Sequence, residues 1–539
     1  MNRTRALFLC LLLLAAPALA QEAAPPAQEL YSWPTRRGFR FALAEAGDPP
    51  APHAEVTREG RTLRQLLGAV AKLPRGTRLS WLSSAELVER WGRGGTAFDF
   101  PPPGDQAAVR EACGKVGVVL SGLPRRKSVI FFIGDGMGVA QVTLGRLGAQ
   151  AKRIPYNFER FKSIGLASTR SQSHVVTDSA AGATALAAGV KTYNKAIGLD
   201  PEKRPVETIL EVAHREGFAT GLVTTTRITH ATPACFVAKI DHRDKEKEIA
   251  AQLAARGYPE VLIGGGAKNF TPEMLEQLRK NDFAVVTDPR ALEGAKGPKL
   301  AAFIAPSHVP FAIDEGTILP ALTKKAVETL AAQGPFFLMI EGGRVDHACH
   351  QHDAAAALHE QLDLDAAIGW ALDRAAQDPD LLVVVTADHA TGDLGITENA
   401  KIEEMLAARG SSTEIAGKAR PKPGKTDALA ALVKEKHGFE LTPEELQTIV
   451  TPVDPKDYYW SATALGHVLS RRYGVEFYDL AQQQLHLQST WGHDGAMVGV
   501  FAFGAGAESF QGIYENTEIP RKIAAVLGVP APGSLLQPK

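Results

Sequence analysis

Three times along the chain a long apolar run breaks off at a carboxylate. Val129-Ile130-Phe131-Phe132-Ile133 leads through Gly134 to Asp135, and Phe336-Phe337-Leu338-Met339-Ile340 leads to Glu341. Leu381 to Thr386 leads through Ala387 to Asp388-His389. Such unbroken runs of β-branched, aromatic and aliphatic residues read as strands covered on both faces, the mark of a parallel sheet. Further strands over 221–225, 261–263 and 497–503 alternate with helical patterns over 179–190, 206–216 and 353–374. The pattern predicts an α/β fold: a doubly wound, mostly parallel sheet with helices on both faces. Ligands of such sheets collect beyond the carboxyl ends of the strands. Three carboxylates meeting there would repel one another unless cations neutralise them. The pattern therefore predicts a polynuclear metal site.

The rest of the chain divides around this sheet. Arg3 and Arg5 precede an apolar run from Ala6 to Ala16, and Ala18-Leu19-Ala20 supplies a small-x-small cleavage site, so 1–20 reads as a signal peptide. The run is too short for a permanent span, and an exported protein without a membrane anchor, periplasmic or extracellular, is expected. Residues 21–124 form an accessory region punctuated by Pro49-Pro50-Ala51-Pro52 and Pro101-Pro102-Pro103-Gly104. The catalytic domain is expected over 125–539, with an insertion at about 397–485 where the sheet pattern lapses. Inside it, Thr442-Pro443-Glu444-Glu445 carries the signature of a helix start.

Composition narrows the function. The 539 residues are 45% hydrophobic, enough for a large core and more than one domain, and the formal net charge is −1. No basic stripe favours nucleic acid as a specific partner. Cys113, Cys235 and Cys349 remain after the leader, and the sequence does not choose a pair among them.

Gly134-Asp135-Gly136-Met137-Gly138 has the wrong spacing for a dinucleotide loop, and its acid would repel a pyrophosphate. Tight-turning glycines there suit the approach of a metal to Asp135. Asp178-Ser179-Ala180-Ala181 opens a small-residue helix, where free N–H groups and positive potential favour phosphate and an alkoxide. Alone, the pair would read as a simple N-cap. Asp346 and His350 stand one helical turn apart and can grip one cation, while Glu341 is displaced toward another. Asp388-His389 and His493 add ligands. Thr232 offers magnesium an oxygen, and Arg243 has the fork that fits two phosphate oxygens.

These blocks, in this order, resemble the alkaline phosphatase family over roughly 126–396 and 488–526. The blocks carrying the likeness are Gly134 to Gly138, Thr177 to Ala181, His230-Ala231-Thr232-Pro233, Glu341 to His350, and Ala387-Asp388-His389, completed by His493. The resemblance implies hydrolysis of small phosphate monoesters with Ser179 as the nucleophile that becomes phosphorylated. It implies one zinc on Asp346, His350 and His493, and a second on Asp135, Asp388, His389 and Ser179. A magnesium would be shared by Asp135, Thr232 and Glu341, with Arg243 clamping phosphate. His230 and His347 stand where the familiar bacterial form has Asp and Lys, which puts titrating groups near the third metal and the phosphate. The family is often dimeric, so a homodimer is compatible. A sulfatase is disfavoured because Ala181 stands where its motif needs Pro, and a diesterase because Arg243 is present. The third alternative, a binding scaffold without turnover, fits poorly with a full set of ligands.

Overall fold

The computed structural model describes residues 126–452, 457, 459–480, 490 and 492–536, together with three short strands nearer the N-terminus. Those strands, Arg40–Phe41, Arg78–Trp81 and Val118–Ser121, form a small sheet of their own in a unit that ends at Arg126. The leader at 1–20, most of 21–124 and Cys113 lie outside the described residues. Cys235 and Cys349 are buried free thiols. No described helix is long and apolar enough to cross a membrane.

From Lys127 onward ten strands build one sheet. In chain order they are β1 (Ser128–Gly134), β2 (Ser163–Ser168), β3 (Ala219–Arg227), β4 (Val261–Gly265) and β5 (Phe283–Val286). Then come β6 (Lys299–Phe303), β7 (Phe336–Gly342), β8 (Leu381–Thr386), β9 (Val498–Gly504) and β10 (Gly512–Glu515). Their order across the sheet is β10-β2-β9-β8-β1-β7-β3-β4-β6-β5, and only β9 runs against its neighbours. The predicted mostly parallel sheet is observed. The three apolar runs that end in acids are β7, β1 and β8, side by side at its centre, and nearly every residue in them is fully buried. Burial on both faces explains why they read as continuous rather than alternating apolar runs.

Four helices matter for the site: α1 (Ser179–Ala188), α2 (Ala231–Ala234), α3 (Arg344–His350) and α4 (Ala354–Gln377). Along α4 and at its cap, buried carboxylates accept backbone N–H groups at the starts of other helical segments. Glu360 takes Ala312 N–H at 2.6 Å, Asp363 takes Ile318 N–H at 3.0 Å, and Asp365 takes Asn157 N–H at 2.9 Å. Asp353 caps α4 through Ala356 N–H and takes Ser412 N–H at 2.6 Å. Each bond satisfies one of the donors that a helix start leaves open. Between 397 and 480 the chain leaves the sheet and forms five described helices, the fourth opening on the capping box of Thr442 and Glu445. Asp314 accepts from Ser411 N–H at 2.6 Å and Ser411 Oγ at 2.9 Å, which ties this segment to the sheet domain a second time.

Candidate metal centre and active site

Strand register brings the acids together. Glu341 on β7 lies opposite Ile133 on β1, and Thr386 on β8 lies opposite the same residue, so Asp135 and Asp388 leave adjacent strand ends at one level. Past Asp135 the chain turns at Gly136, whose φ is +70°. A Cβ there would stand 2.7 Å from Thr391 Oγ1 and 2.8 Å from Asp346 Oδ1, so only glycine lets the turn sit this close. Gly136 N–H donates to Asp388 Oδ1 at 3.2 Å.

Ser179 is the first residue of α1. Asp178 caps the helix, its Oδ1 accepting Ala181 N–H and Lys195 N–H at 3.0 Å each. Its Oδ2 is 3.1 Å from Arg243 Nη1. Ser179 Oγ lies 3.1 Å from His389 Nε2. The helix can approach Asp388 so closely because Gly182 faces it: a Cβ there would be 2.9 Å from the Asp388 carbonyl oxygen.

Three buried groups of ligand atoms result: Asp346 with His389 and His493; Asp135 with Asp388 and His389; and Asp135 with His230 and Glu341. His350 sits beside the first, its Nε2 3.3 Å from Asp346 Oδ2 and 3.1 Å from His493 Nε2. The short strand His493–Asp494 pairs with Ala390–Thr391, which stacks the His493 ring on His389 at 3.6 Å. The Thr177 carbonyl lies 2.9 Å from His493 Nδ1, so that nitrogen donates and Nε2 keeps its lone pair for a metal. Near the third group, Thr232 Oγ1 lies 3.5 Å from Asp135 Oδ2.

The charge balance favours cations. Asp135 and Asp388 are completely buried, and Asp135 Oδ1, Asp388 Oδ2 and Glu341 Oε1 accept no hydrogen bond. Burial first, and neighbouring carboxylates second, push Asp135 and Asp388 well above the usual carboxylate range. Glu341 is raised mainly by burial. Asp346 differs: burial would raise it, but the nearby His350 and His493 hold it well below that range. Burial keeps His389, His230 and His347 far below ordinary imidazole values, leaving them neutral, the form that binds metal. For His347 the cause after burial is the charge of its His308 and Arg344 neighbours. Mixed imidazole and carboxylate donors suit zinc, and the oxygen-rich third group suits magnesium.

Several residues that shape the site escape sequence reasoning. Glu341 Oε2 accepts from Thr224 Oγ1 and, at 3.1 Å, from Thr226 Oγ1. Thr391 Oγ1 donates to Asp346 Oδ1 at 2.6 Å and lies 3.1 Å from His389 Nδ1. A run of threonines at the end of β3 was the only available signal for the first pair; nothing marked Thr391 beyond its nearness to His389.

Parallel strands that deliver carboxylates and imidazoles to a buried helix-start serine define a metal-binding α/β hydrolase. The alkaline phosphatase family model matches residues 126–529. Alkaline phosphatase 3 of Bacillus subtilis is 32% identical over 423 residues, covering 74% of this chain and 89% of its own length. The cold-active alkaline phosphatase of a psychrophilic Shewanella superposes with a TM-score of 0.65 at 32% identity, over 74% of this chain and 99% of that one. A variant of the alkaline phosphatase from the Antarctic bacterium TAB5, with magnesium bound in its M3 site, superposes with a TM-score of 0.55 at 32% identity. It covers 75% of this chain and 99% of its own. The chain belongs to the alkaline phosphatase family, metal-dependent hydrolases of phosphate monoesters.

Proposed function

We propose that the chain hydrolyses phosphate monoesters through a phosphoserine on Ser179, and that it acts outside the cytoplasm after loss of a leader at 1–20. The observation that carries the reading is the setting of Ser179. Its Oγ meets His389 at the edge of two ligand groups, and its neighbour Asp178 grips Arg243. Asp346, His350 and His493 would hold one zinc, and Asp135, Asp388 and His389 a second beside Ser179. Asp135, Thr232 and Glu341 would hold magnesium, with His230 beside them turned to Arg243. When bound, these cations supply positive charge to the entering and leaving oxygens of an in-line displacement.

Arg243 offers two donors to two phosphate oxygens, and Asp178 sets the direction of that fork. In the first displacement the Ser179 Oγ–phosphorus bond forms as the ester phosphorus–oxygen bond breaks and the alcohol departs. In the second, a water oxygen bonds to phosphorus as the Oγ–phosphorus bond breaks, which releases inorganic phosphate and restores the serine. A clamp directed at the phosphoryl group accepts many alcohols.

The purified protein is tested with nitrophenyl phosphate and its diester, before and after chelation, beside Ser179→Ala. Chelator-sensitive monoester turnover, a much slower diester, two zinc and one magnesium per chain, and an acid-quenched phosphate adduct on the Ser179 peptide are expected. A diester rate equal to the monoester rate, or undiminished turnover in Ser179→Ala, would overturn the reading.

A further inference from the structure

His308 belongs to no ligand group, yet it stands at the centre of an arginine–histidine lattice beside the Arg243 clamp. It lies in the passage that follows β6, and the residues on either side of it are pinned. Ser307 C=O accepts Gly266 N–H at 2.7 Å, and Val309 N–H donates to Thr225 C=O at 3.0 Å. Its ring meets His347 edge to face, with centroids 4.3 Å apart at 72°, and meets His230 at 5.6 Å and 78°. His230 and His347 are themselves 5.4 Å apart at 71°, so the three rings form a closed triangle.

Each ring also receives an arginine. Arg227 Nη1 contacts His308 Nε2, while the same guanidinium grips Glu246 through Nε at 2.8 Å and Nη2 at 2.6 Å. Arg344 Nη1 donates to His347 Nδ1 at 2.8 Å and lies over the Phe311 ring at 3.6 Å. Arg243 Nη2 donates to His230 Nε2 at 3.2 Å. Guanidinium has donors only, so each contacted nitrogen must be an acceptor. The remaining protons are thereby fixed on His308 Nδ1, His347 Nε2 and His230 Nδ1. The clamp is thus held at both ends: Asp178 fixes Arg243 Nη1, and His230 fixes Nη2.

We propose that His308 is a positioning residue of the phosphoryl site, bracing the His230 ring that orients Arg243 and the His347 ring beside it. This rests on the reading that Arg243 grips phosphate. A rigid support for a binding group acts by reducing the freedom that the group must lose when ligand arrives. Loss of the brace therefore weakens phosphate binding more than it slows the reaction of bound substrate.

The test uses the metal-loaded full chain as His308→Ala, His308→Gln, Arg243→Ala and the His308→Ala/Arg243→Ala double variant, with nitrophenyl phosphate as substrate and inorganic phosphate as inhibitor. His308→Ala should raise KM and the phosphate inhibition constant about fivefold, the scale of one lost hydrogen bond, with kcat within about twofold. His308→Gln, which keeps an acceptor for Arg227, should recover part of that affinity. In the Arg243→Ala background the His308 substitution should have no further effect on phosphate inhibition, as for two residues acting through one contact. Unchanged constants in His308→Ala, additive effects in the double variant, or a fall in kcat and thermal midpoint at constant KM would overturn the inference. Persistent turnover in Ser179→Ala would instead refute the underlying phosphoserine reading, so the two failures are distinguishable.

Discussion

Asp178 does two jobs with two oxygens, and Asp178→Asn separates them. Asparagine is as good an N-cap as aspartate, so the contacts of Oδ1 with Ala181 N–H and Lys195 N–H survive. The charge facing Arg243 across 3.1 Å is lost, and an amide nitrogen in its place would confront a guanidinium donor. At that separation two unit charges attract by about 5 kcal/mol with an effective dielectric near 20. Desolvation of a nearly buried Asp178 offsets most of this, and Arg243 keeps 20% of its side chain in solvent. A net loss of about 1.5 kcal/mol remains, the lower end for hydrogen bonds to charged groups. That corresponds to about tenfold in affinity. KM for a nitrophenyl monoester and the inhibition constant of inorganic phosphate should therefore each rise about tenfold. The value of kcat should hold or rise, because product phosphate leaves through the same clamp. Asp178→Ala also removes the cap and should lose about 1 kcal/mol more of folding stability, seen in denaturation and not in KM. Wild-type KM and phosphate inhibition in Asp178→Asn, or a collapse of kcat at constant KM, would refute the two-job assignment.

Other expectations are independent of the clamp. Gly136→Ala places a Cβ against Thr391 and Asp346 at a φ of +70°, costing about 1–2 kcal/mol of backbone strain, and should lower metal content by elemental analysis. Chelation should lower the thermal midpoint as well as turnover, since one ion at a thousandfold excess over its Kd stabilises by about 4 kcal/mol; a midpoint indifferent to chelator would contradict the buried, unneutralised carboxylates. Glu360 is pushed up to about 8, by burial first and by the Asp363 charge second. The unfolded chain releases that proton near pH 4.3, so stability falls as pH rises from about 4.3 to 8 and then levels. Glu360→Gln should therefore gain on the wild type across that window in denaturant unfolding, with the full gap above pH 8. A gap that does not vary with pH would show that Glu360 does not titrate there.

The strands and their acids were legible because burial on both faces writes itself into the sequence as unbroken apolar runs. Those runs turned out to be the three central strands, with Asp135 and Asp388 at one level. The helix-start serine and the one-turn spacing of Asp346 and His350 were equally local signals. What was not legible depends on register and on long-range closure. Thr224 reaches Glu341 because β3 and β7 pair in the register that sets them opposite each other, and no pattern within either strand reveals that pairing. No motif or spacing in the sequence singles out His308. The helical pattern over 353–374 does not mark Glu360, Asp363 and Asp365, which are buried against the starts of other helical segments. The first four helices between 397 and 480 blurred into irregularity because each runs eleven residues or fewer and buries only a few of them.

The two ties between that segment and the sheet domain bear on what can be trimmed from this chain. Asp353 and Asp314 spend carboxylate oxygens on Ser412 and Ser411, and burial raises Asp314 above the usual carboxylate range even with those donors present. Excising 397–480 would take the Ser411 N–H and hydroxyl from Asp314 and the Ser412 N–H from Asp353. Asp353 follows His350 by only three residues and also caps α4, so the damage would land on the passage that aims Asp346 and His350. A shortened chain would need Asp314 and Asp353 replaced together with the cut. The segment that reads in the sequence as an insertion behaves as a keystone for the passage that carries Asp353.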